Sequence, residues 1–376
     1  MAKLLEKVIL TRLQDEVDTL NLIPNEQHGF RAHHSTTHQL LRVVEQITEG
    51  FNINHSTGAV FLDVSKAFDK VWHNGLVYKL LRSGMSLSLV KIIKSFLKNR
   101  TFQVKHLGSL STIKPIVSGV PQGSILSPLL YNIFMHDIPL NTAGTTLAQY
   151  ADDTAILYRS RSPRVIFIRL QAALENLDNY FNKWRISINP AKTVAILFSR
   201  RRNAAPPTLL NLLDHDIPWS DTCKYLGVIL DKKLTWSAHI HSARNKATAC
   251  ASKLFPLLHP NSTLSLDNKL LIYKSIIRPA LTYAIPVWGH SAVTHIRHLQ
   301  AFQNKILRQI TASPWFVRNT QIHDDLYMPT IPVFAAIQAD NLRLQMTQIT
   351  NPTINQLWSY DQNEPTRHRR PKRVLT

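Results

Sequence analysis

The first twenty residues, MAKLLEKVILTRLQDEVDTL, place Leu5, Val8, Ile9, Leu13, Val17 and Leu20 at helical spacing and predict an amphipathic helix. A polar, histidine-rich stretch, EQHGFRAHHSTTHQ (26–39), separates it from the apolar run AVFLDV (59–64), which suits a buried strand with Asp63 near its end. Leu76 to Leu81 followed by Gly84 predicts a helix closed by glycine. In the next segment, LSLVKIIKSFLKNR, Leu89, Ile92, Ile93, Phe96 and Leu97 share one helical face, while Lys91, Lys94 and Lys98 share another. That lysine face is either solvated or turned toward phosphates.

Alternation in TFQVKHL (101–107) before the turn residues GSLS predicts a hairpin leading into SGVPQGSILSPLLYNIF (118–134). Within that segment, Ser127 as N-cap and Pro128 in the first turn predict a helix start. TTLAQYADDTAILYRS reads as strand, turn and strand. LENLDNYFNKWRISINPAKTVAILFS reads as helix, Asn-Pro turn and strand. SRRRNAAPPT (199–208) has no apolar period and reads as a linker, and KYLGVIL (224–230) as one more buried strand. From Trp236 to Ile349 the pattern turns helical, with Ile296, Leu299, Phe302, Ile306 and Ile310 along one face. The fold class expected is α+β, with strands and helices interleaved and a helical C-terminal lobe.

Composition adds a partner class. With 376 residues and 44% hydrophobic content, the chain can bury a large core in one lobed domain or about two domains. Lys and Arg number 44 against 24 Asp and Glu, a formal charge of +20, which points to nucleic acid or an anionic surface. No apolar run approaches the roughly 18–20 residues a spanning helix needs, so no membrane partner is expected. Cys223 and Cys250 alone exclude a disulfide framework and a cysteine-based zinc finger, and fit an intracellular compartment.

Against this positive excess stand Asp152 and Asp153, at a bend between two apolar strands, and Asp63 near the end of another. An isolated Asp-Asp is usually a solvated turn. A sheet that sets these strands side by side would instead gather three carboxylates, whose repulsion a divalent cation removes. Hard oxygen ligands on strands suit Mg²⁺, and two such ions about 4 Å apart support phosphoryl transfer. His28, His33, His34 and His38 include an i, i+4 pair, but no cysteine or acidic ligand accompanies them, and a metal site there is not expected.

Five blocks occur in a telling order: FLDVSKAFDKVWH, SGVPQGSILSPLLYN, AQYADDTAILY, INPAKTVAILFS and KYLGVILD. Their order and content resemble the reverse transcriptases of non-LTR retrotransposons, in particular the jockey-like elements of insects. QHGFR early and WGHSAVTHIRHLQAFQNKILRQI later extend the resemblance over nearly the whole chain. It implies a right-hand polymerase with partial fingers over 1–58, and a palm carrying inserted fingers elements and a primer-grip hairpin over 59–235. A helical thumb and C-terminal region over 236–350 and a basic tail over 351–376 would follow.

The same resemblance implies roles for individual residues. Asp63, Asp152 and Asp153 would hold two Mg²⁺ ions, with Mn²⁺ an alternative, and the main-chain carbonyl of Val64 would lie near a metal. Phe68 would be an aromatic gate favouring dNTP over NTP, although spacing alone reads Phe68, Val71 and Trp72 as a core face. Gln122 and Gly123 would line the nucleotide and template base, and Arg31 would contact the triphosphate. Lys192 would protonate the departing pyrophosphate or face a phosphate. Tyr225, Leu226 and Gly227 would form the primer grip. An RNA template, a DNA primer and dNTPs would be the partners.

The resemblance implies that in full-length relatives an endonuclease and an earlier fingers segment precede this stretch, so partial fingers are expected. A second reading is therefore a catalytically impaired remnant that still binds nucleic acid. The basic tail at Arg367, Arg369, Arg370, Lys372 and Arg373 motivates that reading and also a nuclear-entry signal.

Overall fold

The computed structural model describes residues 1–139, 144–202, 204–206 and 208–358. Helices α1 (Ala2–Thr19) and α2 (Thr36–Asn52) lead into β1 (Ser56–Asp63), α3 (His73–Arg82) and α4 (Leu87–Leu97). Four two-residue strands follow: β2 (Thr101–Phe102), β3 (Lys105–His106), β4 (Ser109–Leu110) and β5 (Lys114–Pro115). Next come α5 (Ser127–Phe134), β6 (Thr146–Tyr150), β7 (Asp153–Ser160), α6 (Pro163–Trp184) and β8 (Val194–Phe198). Two hairpins, β9 (Leu210–Leu212) with β10 (His215–Ile217) and β11 (Thr222–Tyr225) with β12 (Val228–Asp231), precede α7 (Ser237–Lys253).

Contacts divide the chain into two compact units. The first comprises Met1–Gln39, His55–Leu197 and Arg201–Ser220; the second comprises Leu40–Asn54, Phe198–Arg200 and the described residues from Asp221 onward. At the centre of the first unit is a four-stranded sheet in the order β6-β7-β1-β8, with β7 antiparallel to both β6 and β1. β1 is buried from Ser56 to Leu62, and α6 lies against β1 and β7. This continuous burial explains why its sequence is an unbroken apolar run rather than an alternating one. The fold is thus a mixture of helices with an antiparallel sheet.

Helix α1 uses only part of its apolar stripe. Leu13 and Val17 are buried in the core, whereas Leu4, Leu5 and Val8 remain exposed. The hairpin expected after residue 101 is present as a thin ribbon in which β2 pairs with β5 and β3 with β4, every strand residue being exposed. Lys79 on α3 is buried, its Nζ 3.9 Å from the Trp184 ring centre and 4.9 Å from those of Phe134 and Tyr180. It donates to Asp137, to the Tyr180 hydroxyl and to the Phe134 carbonyl, and burial lowers its pKa to about 8. A buried charge is tolerated only with such partners.

Two local expectations are corrected. Ser127 does not cap α5: its hydroxyl donates to the Pro121 carbonyl at 2.7 Å, and the N-cap position falls on Leu126. KYLGVIL is not one strand, because Leu226 and Gly227 have φ of 45° and 83° and fold it into the β11–β12 hairpin. A left-handed pair of this kind makes a tight turn that glycine admits without steric cost. Within the segment read as tail, Pro352–Asn355 form a short helix capped by Asn351, with Ile354 buried. The basic residues Arg367, Arg369, Arg370, Lys372 and Arg373 lie outside the described residues.

In the second unit α7 is followed by α8 (Phe255–Leu258), α9 (Leu266–Ile272), a π-helical turn at Tyr273–Ile277, α10 (Arg278–Thr282) and α11 (Ile285–Trp288). Then come α12 (Val293–Thr311), α13 (Asn319–Asp325), α14 (Ile331–Met346) and α15 (Pro352–Asn355). The expected stripe of α12, Ile296, Leu299, Phe302, Ile306 and Ile310, is buried, and α12 packs against α7, α9, α13 and α14. No helix among the described residues is long and apolar enough to cross a membrane.

Candidate active site

Strands β6 and β7 are joined by the two-residue turn Ala151-Asp152, with Tyr150 paired to Asp153. Ala151 carries φ of 58°, a left-handed value that L side chains rarely adopt. On the other side of β7 the register sets Asp153 opposite Asp63, the last residue of β1. Two strand ends and one turn thus bring Asp63, Asp152 and Asp153 together. Burial, then the charges of Asp152 and Asp63, push the Asp153 carboxyl up to about 6. Asp152 is raised as well, first by burial and then by Asp63.

The loop before β8 supplies the opposing charge. Asn189 begins a turn in which its carbonyl accepts from the N–H groups of Lys192 and Thr193. This presents Lys192 Nζ 3.7 Å from Asp63 Oδ2, with both side chains partly open to solvent. The loop is tied to β1 by Ser65 N–H donating to the Ser187 carbonyl (2.7 Å) and Asn189 N–H donating to the Asp63 carbonyl (2.8 Å). These bonds bracket Val64 and do not use its carbonyl.

Behind the carboxylates lies an aromatic layer. Tyr131 on α5 is buried, and its hydroxyl has no hydrogen-bond partner among the described residues. Its pKa is raised by burial first and then by Asp152 and Asp153, so it senses both charges. Phe68 stacks on Tyr131 with ring centres 5.1 Å apart and meets Phe30 edge-on at 5.7 Å. Phe68 also joins the 118–127 segment, because Val120 N–H donates to its carbonyl at 2.8 Å. In that segment Gln122 Nε2 donates to Asp69 Oδ1 at 2.8 Å, and Gly123 is exposed with φ of 85°.

Arg31 keeps to its own neighbourhood: Nη1 donates to the Pro24 carbonyl at 3.3 Å, and burial lowers its pKa while Asp18 opposes the shift. Tyr225, Leu226 and Gly227 lie in the second unit, where the Tyr283 hydroxyl donates to the Leu226 carbonyl at 3.1 Å. His28 and His38 are buried, and the His28 and His34 rings meet edge-on at 5.0 Å. Sequence reasoning missed Gln27, Gly29 and Tyr131. Gln27 and Gly29 stand in the same QHGFR block as Arg31, but nothing local distinguishes a residue whose partner is 124 positions away.

The carboxylates of Asp63, Asp152 and Asp153 offer hard oxygen donors, the type that divalent ions such as Mg²⁺ or Mn²⁺ prefer. Among the described residues no group of three or more His, Cys, Asp or Glu side chains is placed to hold a metal ion by itself. Carboxylates at strand ends leave room for the waters and phosphate oxygens that complete the coordination of a divalent ion. The residues present fit such an ion.

Residues 1–230 match the family described as Reverse transcriptase (RNA-dependent DNA polymerase), and the chain belongs to that family. Its relatives are polymerases of insect mobile elements. It is 40% identical over 340 residues to the RNA-directed DNA polymerase from mobile element jockey of Drosophila funebris. Over 335 residues it is 37% identical to the probable RNA-directed DNA polymerase from transposon X-element of Drosophila melanogaster. Each alignment covers 88% of this chain and 37% of the relative, so the chain spans a little over a third of their length. The likeness to jockey-like elements drawn from the motifs is borne out. Apo telomerase from Candida tropicalis aligns with a TM-score of 0.44 at 12% identity, over 94% of this chain and 61% of that one.

Proposed function

We propose that the chain is an RNA-directed DNA polymerase that extends a DNA primer on an RNA template. The observation that carries this reading is the register of Asp63 against Asp153, with Asp152 in the adjoining turn and Lys192 facing Asp63. Its architecture is then that of a right hand. The four-stranded sheet with α6 is the palm, the N-terminal segments are part of the fingers, and the helices from α7 onward form the thumb and C-terminal region.

Asp63, Asp152, Asp153 and the Val64 carbonyl would hold two divalent ions, Mg²⁺ by preference. Bound there, the ions supply activation of the primer 3′-hydroxyl and charge neutralisation at the transferring phosphate. Lys192 sits on the flank of this group, where its ammonium neutralises Asp63 and can pass a proton from Nζ to the leaving pyrophosphate. Phe68, fixed between Tyr131 and Phe30, presents a rigid aromatic edge against which a 2′-hydroxyl would clash. Gln122, braced by Asp69, and Gly123 line the nucleotide and template base. Arg31 meets the triphosphate, and Tyr225, Leu226 and Gly227 hold the primer terminus. The basic excess holds the nucleic-acid backbone, and the tail directs nuclear entry.

Primer extension on an RNA template with dNTPs and Mg²⁺ tests the assignment. Template-dependent DNA synthesis that disappears in Asp152→Asn is the expected result. Incorporation of NTPs alone would point to an RNA polymerase, and salt-sensitive RNA binding without incorporation to a non-catalytic remnant.

A further inference from the structure

The turn that carries Asp152 and Asp153 is held from beneath by a side chain that no motif role covers. Gln27 is buried and reaches Ala151 with both ends of its amide. Its Oε1 accepts from Ala151 N–H at 2.8 Å and from Gly29 N–H at 2.8 Å, and its Nε2 donates to the Ala151 carbonyl at 3.4 Å. The surrounding backbone adds a parallel bridge: His28 N–H donates to the Gln149 carbonyl (2.9 Å) and Gln149 N–H to the Glu26 carbonyl (3.1 Å). Gly29 completes the seat, since a Cβ there would come within 2.1 Å of Ala151 N.

Ala151 needs such a seat. At φ of 58° it occupies a left-handed conformation that L residues rarely adopt, and it persists only where the surroundings fix it. A carboxamide suits the task because one uncharged group offers both a donor and an acceptor. A carboxylate here would add to the negative field of Asp152 and Asp153, and a shorter or apolar side chain would leave two buried N–H groups without an acceptor.

We propose that Gln27 is the positioning residue of the carboxylate turn: by fixing the left-handed Ala151 peptide it sets the aim of Asp152 and Asp153 at a divalent cation. This rests on the reading of those carboxylates as cation ligands. Gln27 touches neither substrate nor ion and acts only through Ala151.

The test uses the full chain and Mn²⁺ as the probe, followed by loss of the free-ion EPR signal, with thermal melts and primer extension alongside. Gln27→Met is expected to weaken Mn²⁺ binding and lower kcat by about 10- to 100-fold, as for other residues that orient metal ligands. KM for dNTP should stay within about threefold, because nucleotide contacts are untouched. Ala151→Gly removes the steric cost of the left-handed turn, so the double variant Gln27→Met/Ala151→Gly should regain most of the lost Mn²⁺ affinity, which a general packing role would not predict. Should Gln27→Met fail to fold, Gln27→Asn, one methylene shorter, carries the same comparison. Wild-type Mn²⁺ binding in the folded Gln27 variant, or loss without recovery in the double variant, overturns the positioning role alone. Wild-type protein that binds Mn²⁺ no better than Asp152→Asn overturns the cation-site reading and the positioning role together.

Discussion

Asp63 and Asp153 stand directly opposite each other at the last rung of the β1–β7 pair. Like charges so placed destabilise an antiparallel pair, which makes the arrangement costly to the fold and useful only to chemistry. Asp153→Asn is therefore expected to stabilise the protein by about 0.2–1 kcal/mol, read as a higher urea or thermal midpoint. The same change should lower dNTP incorporation by about 10²–10³-fold. A variant of unchanged activity would detach the pair from catalysis.

Phe68 is held by Tyr131 on one face and Phe30 at its edge, so its position is set by packing rather than by rotamer choice. Phe68→Val should shorten the barrier to a 2′-hydroxyl and reduce the preference for dNTP over NTP by about 10- to 100-fold. Competitive incorporation on one template reads this ratio directly, and an unaltered ratio assigns Phe68 to the core alone.

Acid should weaken the second unit through His239. This side chain is buried, meets Trp288 edge-on at 5.2 Å and accepts the Ile229 N–H at Nδ1. Burial, with a smaller push from Lys246, lowers its pKa to about 4. The unfolded histidine takes up its proton near pH 6.5. The folded-state value is the depressed one, so this contribution to stability is complete above about pH 6.5 and is lost as pH falls toward 4. Between pH 7 and 4 wild type should lose on the order of 3 kcal/mol relative to His239→Phe in urea melts, and parallel pH profiles would contradict it.

Lys91, Lys94 and Lys98 all remain exposed on or just beyond α4. If they face phosphates, replacing all three with Gln should reduce the slope of log K against log salt for single-stranded RNA by about 2. Anisotropy titrations over a salt series measure this, and an unchanged slope identifies the face as merely solvated.

Much of the site can be read locally. The apolar run ending at Asp63, the two strands flanking Asp152 and Asp153, and the Asn-Pro turn before Lys192 all follow from short-range patterns. Their mutual placement is consistent with the strand order, because a buried β1 needs neighbours on both edges. Local reading failed where one residue decides the backbone path: Leu226-Gly227 folds KYLGVIL back on itself, and Ser127 turns its hydroxyl to Pro121 instead of capping α5. It also failed for the exposed half of the α1 stripe, since periodicity fixes which residues share a face but not what covers it.

By itself the sequence determined the family, the mixed fold class and the carboxylates, because ordered blocks and hydrophobic periods are properties of neighbouring residues. Only the tertiary structure decided that Asp153 faces Asp63, that Tyr131 lies near both Asp152 and Asp153, and that Gln27 holds Ala151 across 124 positions. Such relations depend on strand register and on single hydrogen bonds between distant segments. They come into being only when the sheet closes, and no local preference along the chain encodes them.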